Sequence, residues 1–185
     1  MKQLFSMILV ITFMMSICAL ASSPDESEKL SRTVTYSQNR VAQEFTVAGE
    51  LTSNPGYLTH TIRSGSFNSP REPAVKIVIK TAIEDKFKPM DEKREMEKAS
   101  ELNMGEIKKL SSGADVKTLS KYSATLANGE TAIVRSFIKV PNTYKNNYAF
   151  ASYMLDSNTI VTVSSTLSKK EFDEVLKTLK IGELT

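Results

Sequence analysis

The chain has 185 residues, is 41% hydrophobic and 24% charged, and carries a formal net charge of +3. That size and apolar content suit one domain with a real core. The basic residues are dispersed rather than gathered in a stripe, so nothing points to nucleic acid as a partner.

The chain opens with MKQLFSMILVITFMMSICALASSPDESEK. Lys2 forms a positive n-region, Leu4 to Ile17 is an almost unbroken apolar run, and Ala19-Leu20-Ala21 is a small-x-small site. This is the layout of a secretory signal peptide over residues 1–21, with cleavage expected after Ala21 and a location outside the cytoplasm, either periplasmic or secreted. The run is short for a spanning helix, which needs about 20 residues. No stable membrane span is therefore expected once the signal is removed; an uncleaved anchor is the alternative. Lipidation at Cys18 is disfavoured, because Ile17 and Met15 stand where that pattern wants a small residue and a leucine. Cys18 is the only cysteine. After cleavage the chain has no disulfide, thiolate nucleophile or Cys-ligated metal. No N-x-[ST] sequon occurs, which favours a bacterial exported protein.

Residues 22–32 read as a flexible polar leader, and a single domain is expected over 33–185. RTVTYS and RVAQEFTVAGELT are rich in Val, Thr, Phe and Tyr, and predict strands. One strand is expected near Tyr57 to Ile62 inside a stretch broken by Asn54-Pro55-Gly56 and Ser64-Gly65. Ala74 to Ile83 alternates Val75, Ile77 and Ile79 with Lys76, Val78 and Lys80, as a half-buried strand requires. MDEKREMEKASELNMGEIKKLS predicts one long charged helix with Asp91 as N-cap. Its expected buried stripe is Met96, Ala99, Leu102 or Asn103, Ile107 and Leu110.

Val116 to Leu126 and Glu130 to Val140 flank Asn128-Gly129, a strong hairpin signal. Pro141 to Asn147 reads as a loop. Tyr148 to Leu155 and Thr159 to Leu167 flank Asp156-Ser157-Asn158 and predict a second hairpin. Ser168 and Glu171 then form a capping box. Phe172, Val175, Leu176 and Leu179 make a packing stripe, and Gly182 is expected to end the helix. The predicted fold class is α+β: an antiparallel sheet with two main helices packed on it.

The run YAFASYMLDSNTIVTVSSTLSKKEFDEVLKTLKI resembles the C-terminal end of the PsbP-like superfamily, which includes exported bacterial proteins of the DcrB type. The likeness lies in a threonine- and serine-rich strand followed by a helix bearing Phe172, Val175, Leu176, Leu179 and Lys180. The long middle helix before an Asn-Gly hairpin also fits, and the element order matches from Arg40 to Ile181. The resemblance implies a PsbP-like α/β sandwich and a role in binding or assembly. It carries no site residues across, because the matched positions are core positions.

His60 is the only histidine. It alternates with Leu58 and Ile62 in LTHTI and reads as a polar strand or loop position. No metal-ligand spacing accompanies it, and a Ser-His-Asp triad would have to be built on it. No G-x-S-x-G, Walker loop, G-x-G-x-x-G or EF-hand pattern occurs. Ser168, beside Lys169 and Lys170, is explained as a helix cap. The acids Asp91, Glu92, Glu95, Glu97 and Glu101 are interleaved with Lys93, Arg94 and Lys98, as on a solvated helix face. The sequence thus names no catalytic residue, no cofactor and no metal.

Two loops have the composition of recognition surfaces. PNTYKNNYAF presents Tyr144, Lys145, Asn147 and Tyr148 as candidate partner-binding residues, with Asn146 between them. SGSFNSPREP presents Phe67, Arg71 and Glu72. Both also have the composition of ordinary polar connections. The leading expectation is an exported, non-enzymatic domain that binds another protein of the cell envelope, as an accessory factor or an inhibitor of the immunity type. The alternatives are a module that binds a small ligand or lipid between sheet and helices, and a hydrolase of unrecognised type.

Overall fold

The computed structural model describes residues 29–51, 56–69, 71–84, 86–100, 104–109, 113–143 and 145–185. Residues 1–21, read as a signal peptide, lie outside the described residues, as do 22–28 of the expected leader. The end of that leader is not a free tail. Strand β1 runs Leu30–Gln38, so the fold begins three residues earlier than the sequence suggested. The reason is Arg32, whose buried guanidinium donates to Gly182 O at 3.0 Å and Thr81 Oγ1 at 3.1 Å.

The elements that follow are β2 (Val41–Gly49), β3 (Tyr57–Ser64), β4 (Val75–Ala82), α1 (Pro89–Ser100), β5 (Ile107–Lys109) and β6 (Asp115–Thr125). Then come β7 (Thr131–Val140), β8 (Tyr148–Asp156), β9 (Thr159–Ser165), α2 (Lys169–Thr178) and β10 (Lys180–Ile181). Seven strands form one antiparallel sheet in the order β3-β4-β9-β8-β7-β6-β5, and β10-β1-β2 form a second. The architecture is α+β, as predicted.

Strand alternation sorts the large sheet into two faces. The inner face carries Ile62, Val75, Ile77, Ile79, Val134, Ala151, Val161 and Val163, all buried. Packed on it are Phe172, Val175 and Leu176 of α2 together with Val34, Tyr36 and Val47 of the small sheet. The capping box of α2 is formed as expected, with Ser168 Oγ and the Glu171 side chain exchanging bonds with each other's backbone. Helix α1 lies on the opposite, outer face, where Met96 touches β8 and β9.

Three local expectations need correction. Helix α1 is described over Pro89–Ser100, Leu102, Asn103 and Leu110 of the expected stripe lie outside the described residues, and Ile107 lies not on a buried helical stripe but in β5, where it is exposed. Gly105 takes a left-handed φ of +79°, and its N–H donates to Thr118 O at 3.0 Å. The chain is thereby drawn into a ladder with β6, Ile107 facing Lys117. Helix α1 also starts at Pro89 rather than behind an Asp91 cap. Proline at the first helical position sacrifices no bond, since that N–H would have no partner in the helix. Finally, α2 ends at Thr178, before Gly182, because Leu179 is already extended and Lys180–Ile181 pair with β1.

Candidate functional site

The two loops singled out by composition meet in the structure. Tyr148 opens β8 opposite Phe137 of β7. Its ring stacks between Phe137, at 5.5 Å, and Phe67, at 6.5 Å. Its hydroxyl donates to Phe67 O at 3.2 Å, and Asn146 Nδ2 donates to the same oxygen at 2.9 Å. The Phe67 loop is thus tied to the sheet by a shared acceptor and a shared ring stack. Aromatic pairs of this kind contribute about 0.5–1.5 kcal/mol beyond area burial.

This changes the reading of the residues proposed to meet a partner. Tyr148 is only 7% exposed and faces the interior of the cluster, so it is a wall and not a projecting anchor. Lys145, with a left-handed φ of 54°, and Asn147 are exposed on the loop. Tyr144 lies outside the described residues. The neighbour that does structural work is Asn146, which is buried.

Beside the cluster lies a cavity of about 350 Å³ between α1 and the outer face of the large sheet. Phe67, Phe137, Tyr148 and Phe150 supply aromatic walls, and Met96 of α1 closes one side. Arg135, Thr162 and Ser164 add polar groups. Other hollows, of about 450 Å³ at the start of α1 and about 560 Å³ beside β2 and β3, are shallower and lined by mixed loop and edge residues. The smaller one has the chemistry of a ligand pocket: concave, mostly apolar, with a few convergent polar groups.

Sequence reasoning passed over most of these residues. The signal was there in β7, where Ile133, Arg135, Phe137 and Lys139 occupy the positions alternate to buried Ala132 and Val134. Arg135 is 5% exposed, and its guanidinium lies 5.5 Å from the Phe137 ring and 5.8 Å from Phe150. Burial lowers its pKa from the ordinary arginine value. Met96 is held by hydroxyls: its sulfur accepts from Ser152 Oγ at 2.8 Å and faces Thr162 Oγ1 at 3.8 Å.

A second polar group is sealed between the sheets. His60 is 0% exposed, and neither ring nitrogen has a hydrogen-bond partner among the described residues. Desolvation lowers its pKa, and the nearby charge of Arg32 lowers it further. The Val47 backbone favours the charged form slightly, without hydrogen-bond alignment to the ring. Asp156 favours the Arg32 charge, against the burial that opposes it. A triad built on His60 would need this core to open. Among the described residues, no group of three or more His, Cys, Asp or Glu side chains is placed to hold a metal, and no helix is long and apolar enough to cross a membrane.

Compared with protein families, curated proteins and solved structures, the chain matches none.

Proposed function

We propose that this is an exported binding module that takes a small, largely apolar ligand between α1 and the outer face of its large sheet. The observation that carries the reading is the cavity of about 350 Å³ walled by Phe67, Phe137, Tyr148, Phe150 and Met96. Ligand sites commonly span about 300–1,000 Å³, and this one sits at the lower end. At about 30 Å³ per water-sized group it has room for roughly a dozen heavy atoms. That suits one fused ring system or a short chain, and is too small for a diacyl lipid. Export is supported by the apolar run Leu4 to Ile17 and the site Ala19-Leu20-Ala21. Kinship with the PsbP-like superfamily is part of the proposal, on the order of helix, two hairpins and helix.

Binding is favoured here over docking to an envelope protein through residues 141–147. Among its described residues that loop offers a partner exposed Lys145 and Asn147, while Tyr148, which follows it in β8, is buried and committed to Phe67.

The test is a ligand-observed NMR titration with naphthylmethanol, a neutral probe of suitable size. Wild-type protein is expected to bind it, and Ser164→Phe, which fills the cavity from β9, is expected to lose at least about tenfold in affinity. Ser164→Leu is the smaller filler should the first variant fail to fold. Equal binding by wild type and a folded variant overturns the reading, and so does absence of binding by wild type.

A further inference from the structure

The outer face of the large sheet is lopsided in charge. Register places Arg63 opposite Lys76, Lys76 opposite Ser164, Ser164 opposite Phe150, Phe150 opposite Arg135, and Arg135 opposite Lys121. These residues form one row across the sheet, with Ser164 and Phe150 of the cavity at its centre. Like charges placed directly opposite are unfavourable in a sheet, and this row holds two such pairs.

Further cations frame the same cavity through its aromatic walls. The Arg63 guanidinium lies 5.1 Å from the centre of the Phe67 ring, and Lys139 Nζ lies 5.2 Å from that of Tyr148. The strands of the large sheet contain only two acidic residues, Asp115 and Asp156, and both stand at strand ends. Asp156 acts on Arg32, away from the cavity. On α1, Glu92 pairs with Lys80 at 2.7 Å, Asp91 with Arg94 at 3.6 Å and Glu95 with Lys98 at 3.1 Å, and Glu97 lies 3.9 Å from Lys93. Among the described residues, no carboxylate lies within ion-pair distance of Arg63, Lys76, Lys121 or Lys139.

We propose that the ligand is an anion: a compound with a single aromatic or short acyl body bearing a carboxylate, sulfonate or phosphate. The body lies against Phe137, Phe150 and Tyr148, and the charged group lies toward the rim held by Arg63 and Lys139. This rests on the binding reading above and adds the ligand's charge. An anion at the rim offsets the repulsion between Arg63 and Lys76, and low-dielectric walls on either side strengthen its attraction to the cations. The hydroxyl of Ser164 supplies a neutral polar group at the floor.

The experiment compares naphthoate with naphthylmethanol, which share a ring system and differ in charge, by NMR titration at low ionic strength. Wild type is expected to bind naphthoate at least about tenfold more tightly. In the double variant Arg63→Gln with Lys139→Gln the preference, taken as the ratio of the two affinities in the same protein, is expected to fall to about threefold or less. Lys76→Gln is the substitute should the double variant not fold, and it is expected to reduce the preference in the same direction. If naphthylmethanol binds and naphthoate binds no tighter, the charge assignment is overturned while the binding reading stands. A preference that survives the rim substitutions undiminished also overturns it. If neither probe binds, it is the binding reading that fails.

Discussion

The burial of His60 makes folding stability depend on pH in a way one substitution can isolate. The imidazole is sealed between the two sheets, and desolvation with the Arg32 charge holds its pKa below the ordinary histidine value. In the unfolded chain the ring titrates near pH 6.5. Below that pH the unfolded state takes up a proton that the folded state resists. Stability is therefore flat above about pH 7 and falls as pH drops through 6.5, continuing down to the folded pKa. The slope cannot exceed about 1.4 kcal/mol per pH unit for one proton. Between pH 7.5 and 5.5 the loss from this group therefore has a ceiling of about 1.4 kcal/mol, reached if the folded ring stays neutral throughout. Urea unfolding of wild type and His60→Gln at both pH values checks this. Carboxylates titrate alike in both proteins, so the change in the difference between them belongs to His60. Wild type is expected to lose up to that amount relative to the variant on going to pH 5.5. An unchanged difference would mean that the folded ring accepts its proton freely and the account of its burial is wrong.

Two further outcomes follow from close contacts. A Cβ added at Gly49 would lie 2.5 Å from Thr59 O and 2.9 Å from His60 Nδ1, so Gly49→Ala is expected to destabilise by about 1–3 kcal/mol through overpacking; an unchanged urea midpoint would show that β2 and β3 are not pressed together there. Ser168→Ala is expected to cost about 1 kcal/mol by removing the α2 cap. The Ser168 bonds hold the Glu171 carboxyl below its ordinary pKa, so that contribution is present at neutral pH and lost as pH falls through the folded pKa; thermal unfolding at pH 7 and pH 3 should show the variant's deficit narrowing at the lower value.

Much of the fold was legible because its signals are local. Asn128-Gly129 and Asp156-Ser157-Asn158 mark turns by backbone preference, and the flanking alternation assigns a face to each strand without knowledge of the partner. The α2 cap and stripe are likewise set within one helix. His60 was read as a polar strand or loop position; it lies on β3, but the structure buries it together with Leu58 and Ile62. The site was less legible. Tyr148 and Phe67 were picked out as loop residues, yet their contact spans a sequence separation of 81 residues. Arg135 and Phe150 were passed over, because an outward position on a strand has the same alternation whether water or a helix covers it.

The sequence by itself determined the α+β class, the two C-terminal hairpins and the capped last helix. Each follows from turn chemistry, side-chain period or capping within a short window. Only the tertiary structure decided that Ile107 pairs with β6, that Lys180–Ile181 pair with β1, and that Arg32 and His60 are sealed between two sheets. It also decided that α1 covers an outer face rich in cations and aromatic rings. The physical reason is common to these cases. A segment's backbone hydrogen bonds and the covering of its faces are supplied by partners distant in the chain, and neither is encoded in local propensity.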